Sequence, residues 1–549
     1  MSNVNPPSSY PELNFGRDTH RWRVRVMALA ALAVPVFAAV ALGILITTSQ
    51  AALTPSPRSL ATLKLPFGGA RVTHLSATVG REQKDLPVRL VGNQVWPSVP
   101  VETGQPVTVV AMIHRPGWSA WLAGATERMD LHLTTPVATL RTAYVTVRHG
   151  SPLQLRFSAP VVLFGSAPVG HQVRSRPLGR AQDTVVVRPG GSAGTLEVAA
   201  APRRWEVPAT QTMSWFPAGS TATAVASPAP GSAISAQTPI TLTFNTPVTR
   251  ALSHSMPAVT PAGAGTWRTL SAHSIQFVPS GYGFGLGARV QIALPGGVHL
   301  VGGTGDPVGT WQVPAGSTLR LQQLLAGLGY LPVSFTPSGA PVADTLQAQE
   351  SAATTPPSGH FSWRWANTPA ALKAQWQAGS YGELTKAAVM SFENANGLVS
   401  DGIDGPSVWK ALLAAKLKHA TNTFGYTFVE VHEASHGETE TTWHDGRTVV
   451  SGAVNTGVAA AGGTQTGVFA VFEHLPTTTM SGVNPDGSHY HDPGIPDVSY
   501  FNGGDALHGF IRASYGFPQS DGCVEMPFSE AAAVYPYTPI GTVVDVSTH

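Results

Sequence analysis

The chain contains a single cysteine, Cys523, and its neighbours are those that a thiol nucleophile needs. Gly522 precedes it, and a glycine there lets the backbone turn tightly and present the N–H groups of Gly522 and Cys523 to an oxyanion. A thiol reacts as the thiolate, so it also needs a base. His508 lies upstream and is followed by Gly509, which leaves the imidazole uncrowded. Two strands joined by a loop would bring the pair together, so we predict Cys523 as nucleophile and His508 as base.

The phrases around this pair resemble a known catalytic signature. Ala506-Leu507-His508-Gly509 and Ser520-Asp521-Gly522-Cys523-Val524-Glu525-Met526 resemble the L,D-transpeptidase family, which has the YkuD-type fold. Its pattern is His-Gly, a short variable loop, and Ser/Thr-His-Gly-Cys followed by an apolar residue. The stretches 454–457, 464–469, 501–507 and 537–542 also resemble family phrases. We therefore predict a mainly-β catalytic domain over 425–549.

The resemblance implies roles for the residues that match the signature. It places the nucleophile at Cys523, the base at His508 and the oxyanion donors on the backbone of Gly522 and Cys523. Ser520 falls on the family's Ser/Thr position and is expected to give hydrogen-bonding support, and Gly509 is expected to flank the base.

Two positions depart from the family pattern. Asp521 stands where the family usually has His, and Glu525 stands where Arg or Asn is common. A carboxylate near the thiol raises its pKa. Asp521 is therefore expected to point away or to pair with a cation, for which His508 and Arg512 are the candidates.

The segment before the base contains a second cluster of polar side chains. His489, His491 and Asp492 suggest a metal site, but their spacing fits no ligand pattern and no further ligand is evident. Glycines and prolines crowd the stretch 482–494, which favours a mobile loop that covers the substrate.

The N-terminal segment predicts export. Arginines up to Arg25 precede the run 26–46, which has no charged side chain and the length of a membrane-spanning helix. Because Arg favours the cytoplasmic side, we expect a cytoplasmic tail over 1–25, a transmembrane helix or signal anchor over 26–46, and the bulk of the chain at the cell membrane on the cell-wall side. Ser49-Gln50-Ala51 resembles a cleavage site, so a cleaved signal peptide and a secreted protein stay open.

The region after the anchor is predicted to be all-β. Residues 47–66 contain several prolines and are predicted as a linker. Between 67 and 316 there is no clear amphipathic helix, and alternating patterns such as 106–112 and 143–147 predict strands. The phrase at 155–161 repeats at 242–248, and that at 204–208 repeats at 310–314, which indicates tandem β modules.

Two β regions follow from these patterns. Residues 226–316 resemble bacterial immunoglobulin-like (Ig-like) domains, with a phrase of Phe, a polar residue and Pro-Val followed by Trp and Phe-x-Pro. Residues 67–225 are predicted as a further β-rich, Ig-like region.

A helical domain is predicted over 317–418. Leucines from Leu319 to Leu328 have helical spacing and Gly329 is a plausible stop. Two further helices are predicted over 384–394 and 407–417, and 337–360 is predicted as a loop. These phrases resemble the three-helix peptidoglycan-binding domain of cell-wall hydrolases, with an insertion between its first and second helices. The alternative is a helical spacer without a ligand.

Composition agrees with a multidomain, mainly-β chain. Only 12% of the residues are charged, Gly and Pro are abundant, and the formal net charge is +2. No basic patch or motif indicates a nucleic-acid partner, and one cysteine excludes a disulfide within the chain.

The family resemblance implies the reaction. The expected donor is a peptidoglycan tetrapeptide stem: Cys523 attacks the carbonyl between its third residue and terminal D-Ala, D-Ala leaves, and an amine of a neighbouring stem resolves the thioester into a cross-link between third residues. Carbapenems are expected to trap the thioester, and no metal or organic cofactor is needed. An L,D-carboxypeptidase that uses water, and a non-catalytic wall-binding scaffold whose site has decayed at Asp521, remain alternatives.

Overall fold

The computed structural model describes residues 39–41, 43, 44, 47, 50–66, 69–118, 120, 124–148, 150–191, 193–219, 221–253, 255–302 and 307–548. Most of the predicted anchor, 26–46, lies outside these residues. Among the helices that are described, none is long and apolar enough to cross a membrane. The described chain forms two compact units, one up to Trp215 and one from Phe216 onward.

The first unit is built from strands. Its elements are β1 (Ala52–Pro55), β2 (Ala61–Lys64), β3 (Arg71–Val79), β4 (Lys84–Asp85), β5 (Val88–Val91), β6 (Gln94–Pro97), β7 (Val101–Glu102), β8 (Pro106–His114), β9 (Thr126–Thr134), β10 (Tyr144–Val147), β11 (Leu153–Pro168), β12 (Arg176–Val187), β13 (Gly194–Ala201), β14 (Glu206–Val207) and β15 (Thr210–Pro217). They form sheets of order β1-β2-β6-β5, β4-β3-β8-β9 and β10-β15-β13-β11-β12, with a β14-β7 pair. Alternating side chains face two separate cores. The buried residues of one core lie between Leu60 and Val109 in the sequence, and those of the other lie between Ala138 and Trp215.

The linker prediction over 47–66 was wrong. Strands β1 and β2 pair in register, and Leu60, Ala61 and Leu63 belong to the first core. The prolines that suggested a linker lie where a sheet tolerates them, because Pro55 ends a strand at the sheet edge.

The second unit begins with another β module. It contains β16 (Ala222–Ser227), β17 (Ile240–Phe244), a short helix α1 (Val248–Leu252), β18 (Ala258–Thr260), β19 (Gly265–Ser271), β20 (Ser274–Pro279), β21 (Arg289–Ala293), β22 (Val298–Leu300) and β23 (Val308–Gln312). A sheet of order β19-β20-β17-β16-β22 and a sheet of order β18-β21-β23 enclose one core. The module starts at β16, a few residues before the predicted boundary at 226. Its likeness to Ig-like domains stays a prediction.

The repeated phrase noted at 155–161 and 242–248 has a structural counterpart. Phe157 lies in β11 and Phe244 ends β17, and both side chains are fully buried. The phrase therefore repeats because one strand in each module buries a phenylalanine side chain in the core.

The helical region follows. It contains α2 (Thr318–Leu328), β24 (Val333–Pro337), α3 (Leu346–Thr354), β25 (Gly359–Trp363), α4 (Ala370–Ala374), α5 (Glu383–Ala395) and α6 (Pro406–Lys418). The three predicted helices are confirmed as α2, α5 and α6. Ser317 caps α2 through its side chain, and Gly329 ends it with φ +85°. The loop predicted over 337–360 was wrong, because Thr345 caps α3 and β24 pairs with β25.

The C-terminal domain carries the predicted nucleophile. It contains β26 (Thr427–His432), β27 (Thr439–His444), β28 (Arg447–Ala453), a 3₁₀ turn (Ala459–Ala461), β29 (Gly467–Ala470), β30 (Glu473–Val483), β31 (His489–Asn502), β32 (Asp505–Gly509), β33 (Val524–Met526), α7 (Phe528–Val534), a second 3₁₀ turn (Tyr535–Tyr537) and β34 (Val543–Ser547). The sheets have the orders β28-β27-β26-β34-β29 and β30-β31-β32-β33. Valines from both sheets, with residues of α7, form the core between them.

The helical region and the C-terminal domain share a second core. Leu384 and Met390 of α5 pack in one buried cluster with Phe428, Trp443 and Val543 of the β domain. The Ser391 hydroxyl also donates to the Ile540 carbonyl at 3.3 Å. The two domains are therefore continuous in their packing.

Candidate active site

Parallel pairing of two short strands brings the predicted nucleophile and base together. His508 lies in β32, and Cys523 immediately precedes β33. The register pairs Leu507 with Val524 and His508 with Glu525. Both Cys523 and His508 line one pocket of about 350 Å³.

His508 has the geometry of a neutral base. Its side chain is 2% exposed, and Nδ1 lies 3.1 Å from the Gly509 carbonyl oxygen. A carbonyl only accepts, so Nδ1 carries the proton and Nε2 is left with its lone pair free to accept one. Burial lowers the pKa of His508, which favours the uncharged ring.

Cys523 rests as a thiol. Its Sγ lies 3.5 Å from the Gly504 carbonyl oxygen, to which the S–H donates. Burial, together with the carboxylates of Asp505, Glu525 and Asp521, raises the pKa of Cys523 to about 12, against a lowering by the Ala506 N–H. The thiol proton therefore points at Gly504 in the resting state and must turn toward His508 to be removed.

The turn before Cys523 requires glycine and is held by serine. Gly522 has φ +142°, and a Cβ there would lie 2.5 Å from Oδ1 of Asp505. The Ser520 hydroxyl donates to the Cys523 carbonyl at 2.5 Å and accepts the Gly522 N–H at 3.2 Å. Of the two predicted oxyanion donors, the Gly522 N–H is thus engaged. Among the described residues, the Cys523 N–H has no hydrogen-bond partner.

The two departures from the signature are resolved differently. Glu525 is buried and accepts from Arg512, Nε to Oε2 at 2.7 Å and Nη2 to Oε1 at 2.8 Å. Asp521 is exposed, and within the described chain it forms no hydrogen bond or ion pair. Neither predicted partner bonds to Asp521, because His508 is held by Gly509 and Arg512 by Glu525. Asp521 does lie close enough to act on Arg512, whose pKa is raised by Glu525 and more weakly by Asp521.

Gly509 is constrained by close packing. A Cβ at this position would lie 2.9 Å from Phe528 and 3.1 Å from Ala531 of α7, and 3.2 Å from Pro496. Glycine here lets α7 approach β32 and keeps the carbonyl that orients His508 in place.

The stretch predicted as a loop over the substrate belongs to a β-hairpin. Strands β30 and β31 pair from Glu473 to Val483, with a register shift near Met480. Met480, Tyr490 and Asp492 line the pocket, so the hairpin forms one of its walls. The loop prediction was wrong for most of the stretch, because Gly482 lies in β30, and Pro493 and Gly494 lie in β31 at its register shift; only Pro485 and Gly487 lie in the turn between the strands.

The hairpin histidines do not form a metal cluster. His491 contacts Ser481 at 2.8 Å across the hairpin. In the part of the chain that the structure describes, no group of three or more His, Cys, Asp and Glu side chains could hold a metal ion.

Three groups around Cys523 were not predicted from the sequence. Gly504 accepts from the thiol, Asp505 abuts Gly522 and opposes the thiolate, and Thr464 donates to the Gly522 carbonyl at 2.7 Å. Asp505 and Thr464 lie within phrases that resemble the family, but nothing in the local pattern indicates their contacts.

The fold and the site together define a class. A β domain that places a thiol and a neutral imidazole in one pocket, next to a free backbone N–H, has the parts of a cysteine-nucleophile enzyme. The family model of the L,D-transpeptidase catalytic domain (YkuD) matches residues 427–546, and the model of a peptidoglycan-binding domain matches residues 372–412. The chain therefore carries a YkuD-type L,D-transpeptidase catalytic domain with a peptidoglycan-binding domain upstream.

Similarity to individual proteins is low. No curated protein matches the sequence. An L,D-transpeptidase from Mycobacterium smegmatis is 13% identical with a TM-score of 0.20, and the match covers 59% of this chain and 96% of that chain. The catalytic domain of an L,D-transpeptidase from E. faecium is 22% identical with a TM-score of 0.20, covering 23% of this chain and 100% of that chain.

A third structure contains a bound adduct. L,D-transpeptidase 3 from Mycobacterium tuberculosis, in complex with a faropenem-derived adduct, is 13% identical with a TM-score of 0.20, covering 59% of this chain and 96% of that chain. At these values the assignment rests on the family models and on the geometry of the site.

Proposed function

We propose that the protein is a peptidoglycan L,D-transpeptidase with Cys523 as nucleophile and His508 as general base. The observation that carries the proposal is the shared pocket, in which the free Nε2 of a neutral, buried His508 lies with the only thiol of the chain. The match of residues 427–546 to the catalytic-domain model supplies the reaction class.

In the first half-reaction the Cys523 sulfur attacks the carbonyl carbon between the third residue of a tetrapeptide stem and its terminal D-Ala. His508 Nε2 takes the thiol proton as the S–C bond forms, and the carbonyl becomes an oxyanion at the free Cys523 N–H. The C–N bond then breaks, and the proton passes from His508 to the amine of D-Ala. A thioester on Cys523 remains.

In the second half-reaction an amine of a neighbouring stem attacks the thioester carbon. His508 accepts a proton from that amine and returns it to the sulfur as the C–S bond breaks. The products are a cross-link between two third residues and the free thiol. No redox change occurs, and the protons balance without a cofactor.

The match of the helical domain to a peptidoglycan-binding domain supports peptidoglycan as the substrate. Its match to a peptidoglycan-binding domain covers 372–412, which includes all of α5, and α5 packs on the catalytic domain. A glycan held by this domain would stay close to the catalytic pocket, which raises the local concentration of stems.

The proposal includes a location. A membrane anchor at 26–46, preceded by arginines, would place both domains on the cell-wall side of the cell membrane. Protease added to spheroplasts should then digest the chain beyond about residue 50 and leave a short membrane fragment. A trimmed protein free in the medium would contradict the anchor and indicate cleavage near Ala51.

The reaction is tested with a purified disaccharide-tetrapeptide substrate, followed by mass spectrometry. Transpeptidation predicts dimers joined through third residues and an equal amount of free D-Ala. Tripeptide without dimers would indicate the L,D-carboxypeptidase, and unchanged substrate would indicate a non-catalytic scaffold. Cys523→Ala serves as the matched control, because it removes only the sulfur.

A further inference from the structure

A loop that contains Gly457 and Thr464, both of which are buried, lies against the turn that carries the nucleophile. Gly457 forms a parallel bridge with Ser520, and the Val458 N–H donates to the Ser520 carbonyl at 2.8 Å. A Cβ on Gly457 would lie 2.9 Å from the Cα of Gly522 and 2.7 Å from the backbone nitrogen of Thr464. The loop and the turn are therefore in direct backbone contact.

Thr464 joins the two segments through its hydroxyl. The side chain is 5% exposed, and its Oγ1 donates to the Gly522 carbonyl at 2.7 Å. Because a carbonyl cannot donate, the hydroxyl proton is committed to this bond, and a lone pair of the oxygen accepts the Gly457 N–H at 2.9 Å. Both bonds are buried, so no water competes for the hydroxyl.

This bond fixes the direction of the Cys523 N–H. The Gly522 carbonyl and the Cys523 N–H belong to one planar peptide unit, and in a trans peptide they point in opposite directions. With the carbonyl held by Thr464, the N–H points away from the loop. Because Gly522 has no Cβ, its ψ angle is less restricted than that of other residues, so without the Thr464 bond this peptide could turn more easily.

The Cys523 N–H is also the backbone donor that remains available to bind an oxyanion. The Gly522 N–H is occupied by Ser520 at 3.2 Å, whereas the Cys523 N–H has no partner within the described residues. An oxyanion donor must be aimed before the reaction, because reorientation during the reaction would cost the stabilisation that it provides.

We propose that Thr464 is a positioning residue for acyl transfer: its hydroxyl holds the Gly522 carbonyl and thereby aims the Cys523 N–H at the substrate oxyanion. The inference rests on the proposed function, since it concerns the oxyanion of the same acylation step. It adds a side chain that touches neither the substrate nor the sulfur.

The test compares two reactions of Cys523 that differ in one respect. Acylation by a carbapenem passes through an oxyanion, whereas alkylation by iodoacetamide displaces iodide at a saturated carbon and forms none. Thr464→Val keeps the shape of the side chain and removes the hydroxyl, Thr464→Ser keeps the hydroxyl, and Thr466→Val removes an exposed hydroxyl from the same loop.

Thr464→Val is expected to lower the second-order rate of acylation by roughly 100-fold, the loss typical of a catalytic group displaced by about 1 Å. The alkylation rate should stay close to that of the wild type, whereas the melting temperature should fall, because the buried Gly457 N–H and Gly522 carbonyl both lose their partner. Thr464→Ser should restore most of the acylation rate, and Thr466→Val should leave both rates unchanged.

Three results would overturn the assignment. Equal acylation of Thr464→Val and wild type would show that the hydroxyl has no role. A parallel fall of acylation and alkylation would show that Thr464 merely supports the turn, and failure of Thr464→Ser to recover would point to side-chain shape. A wild type that is alkylated but never acylated would instead overturn the proposed function and, with it, the role of Thr464.

Discussion

Arg512 donates to both carboxylate oxygens of Glu525, Nε to Oε2 at 2.7 Å and Nη2 to Oε1 at 2.8 Å, in the wall of the pocket that holds Cys523. The side chain of Glu525 is 6% exposed and that of Arg512 is 31% exposed. The pair places a buried carboxylate beside the nucleophile and neutralises it locally, which explains how an acidic residue is accommodated at this position of the signature.

Removal of one partner of this pair should destabilise the folded domain far more than removal of both charges. Arg512→Met leaves Glu525 buried without a cation, which is expected to destabilise the domain by about 3 kcal/mol. The double variant Arg512→Met, Glu525→Gln should recover most of that loss. Urea unfolding of the two single variants and the double variant measures the coupling, and strictly additive effects would contradict the account.

Asp521 is expected to slow the nucleophile. Its exposed carboxylate raises the pKa of Cys523 and has no hydrogen-bonding partner in the described structure that would turn it into a support. Asp521→Asn should lower that pKa, so iodoacetamide alkylation below the thiol pKa should accelerate. Asp521→His should act in the same direction.

The pH dependence of the acylation rate distinguishes the role of His508 from that of Asp521. Because the pKa of His508 is lowered from 6.5, the acid limb of the acylation rate should lie below pH 6.5, and it should not move in Asp521→Asn. A slower Asp521→Asn enzyme would mean that the carboxylate supports the reaction. An inert wild type that Asp521→His activates would mean that the native site has decayed.

The catalytic domain should depend on the helical domain for its stability. Leu384 of α5 is 1% exposed and packs against the cluster that includes Phe428 and Trp443. Leu384→Ala is expected to cost about 2–4 kcal/mol of unfolding free energy. The temperature at which acylation is lost should therefore fall, although the substitution lies outside the catalytic domain. Leu325→Ala in α2, a fully buried leucine of a different hydrophobic cluster, is the control, and an equal effect of both would contradict the shared core.

A buried acid should make the domain less stable at alkaline pH. Glu440 is fully buried. Burial raises its pKa from 4.5 to about 8, with a smaller lowering by the Thr442 hydroxyl and a smaller raising by Glu530. The folded state thus holds a proton that the unfolded state releases above pH 4.5, so the free energy of unfolding should fall as the pH rises from about 5 to about 8. Glu440→Gln should flatten this decline in thermal melts. A decline of equal slope in the variant would assign it to other groups.

Sequence patterns predicted the elements that depend on local spacing. The leucines of α2, the glycine at 329 and the alternation in β8, β26 and β34 each determine their element over a few residues. The pairing of His508 with Cys523 was predictable for a different reason, since the signature phrases carry it.

Contacts that depend on register between distant segments were not predictable. Glu525 meets Arg512 only because β33 pairs in parallel with β32, and Thr464 meets Gly522 only because the loop after Gly457 lies on the nucleophile turn. The strands β1 and β2 were missed because prolines at the sheet edge look like a linker in sequence.

Intact-mass measurement after incubation with a carbapenem tests whether Cys523 is a nucleophile that can be acylated. The wild type should gain the mass of one drug molecule, located by peptide mapping to the segment that contains Cys523, while Cys523→Ala should gain none and melt at nearly the same temperature. His508→Gln should form the adduct far more slowly. An adduct of equal mass on Cys523→Ala, or none on folded wild-type protein, would contradict the account.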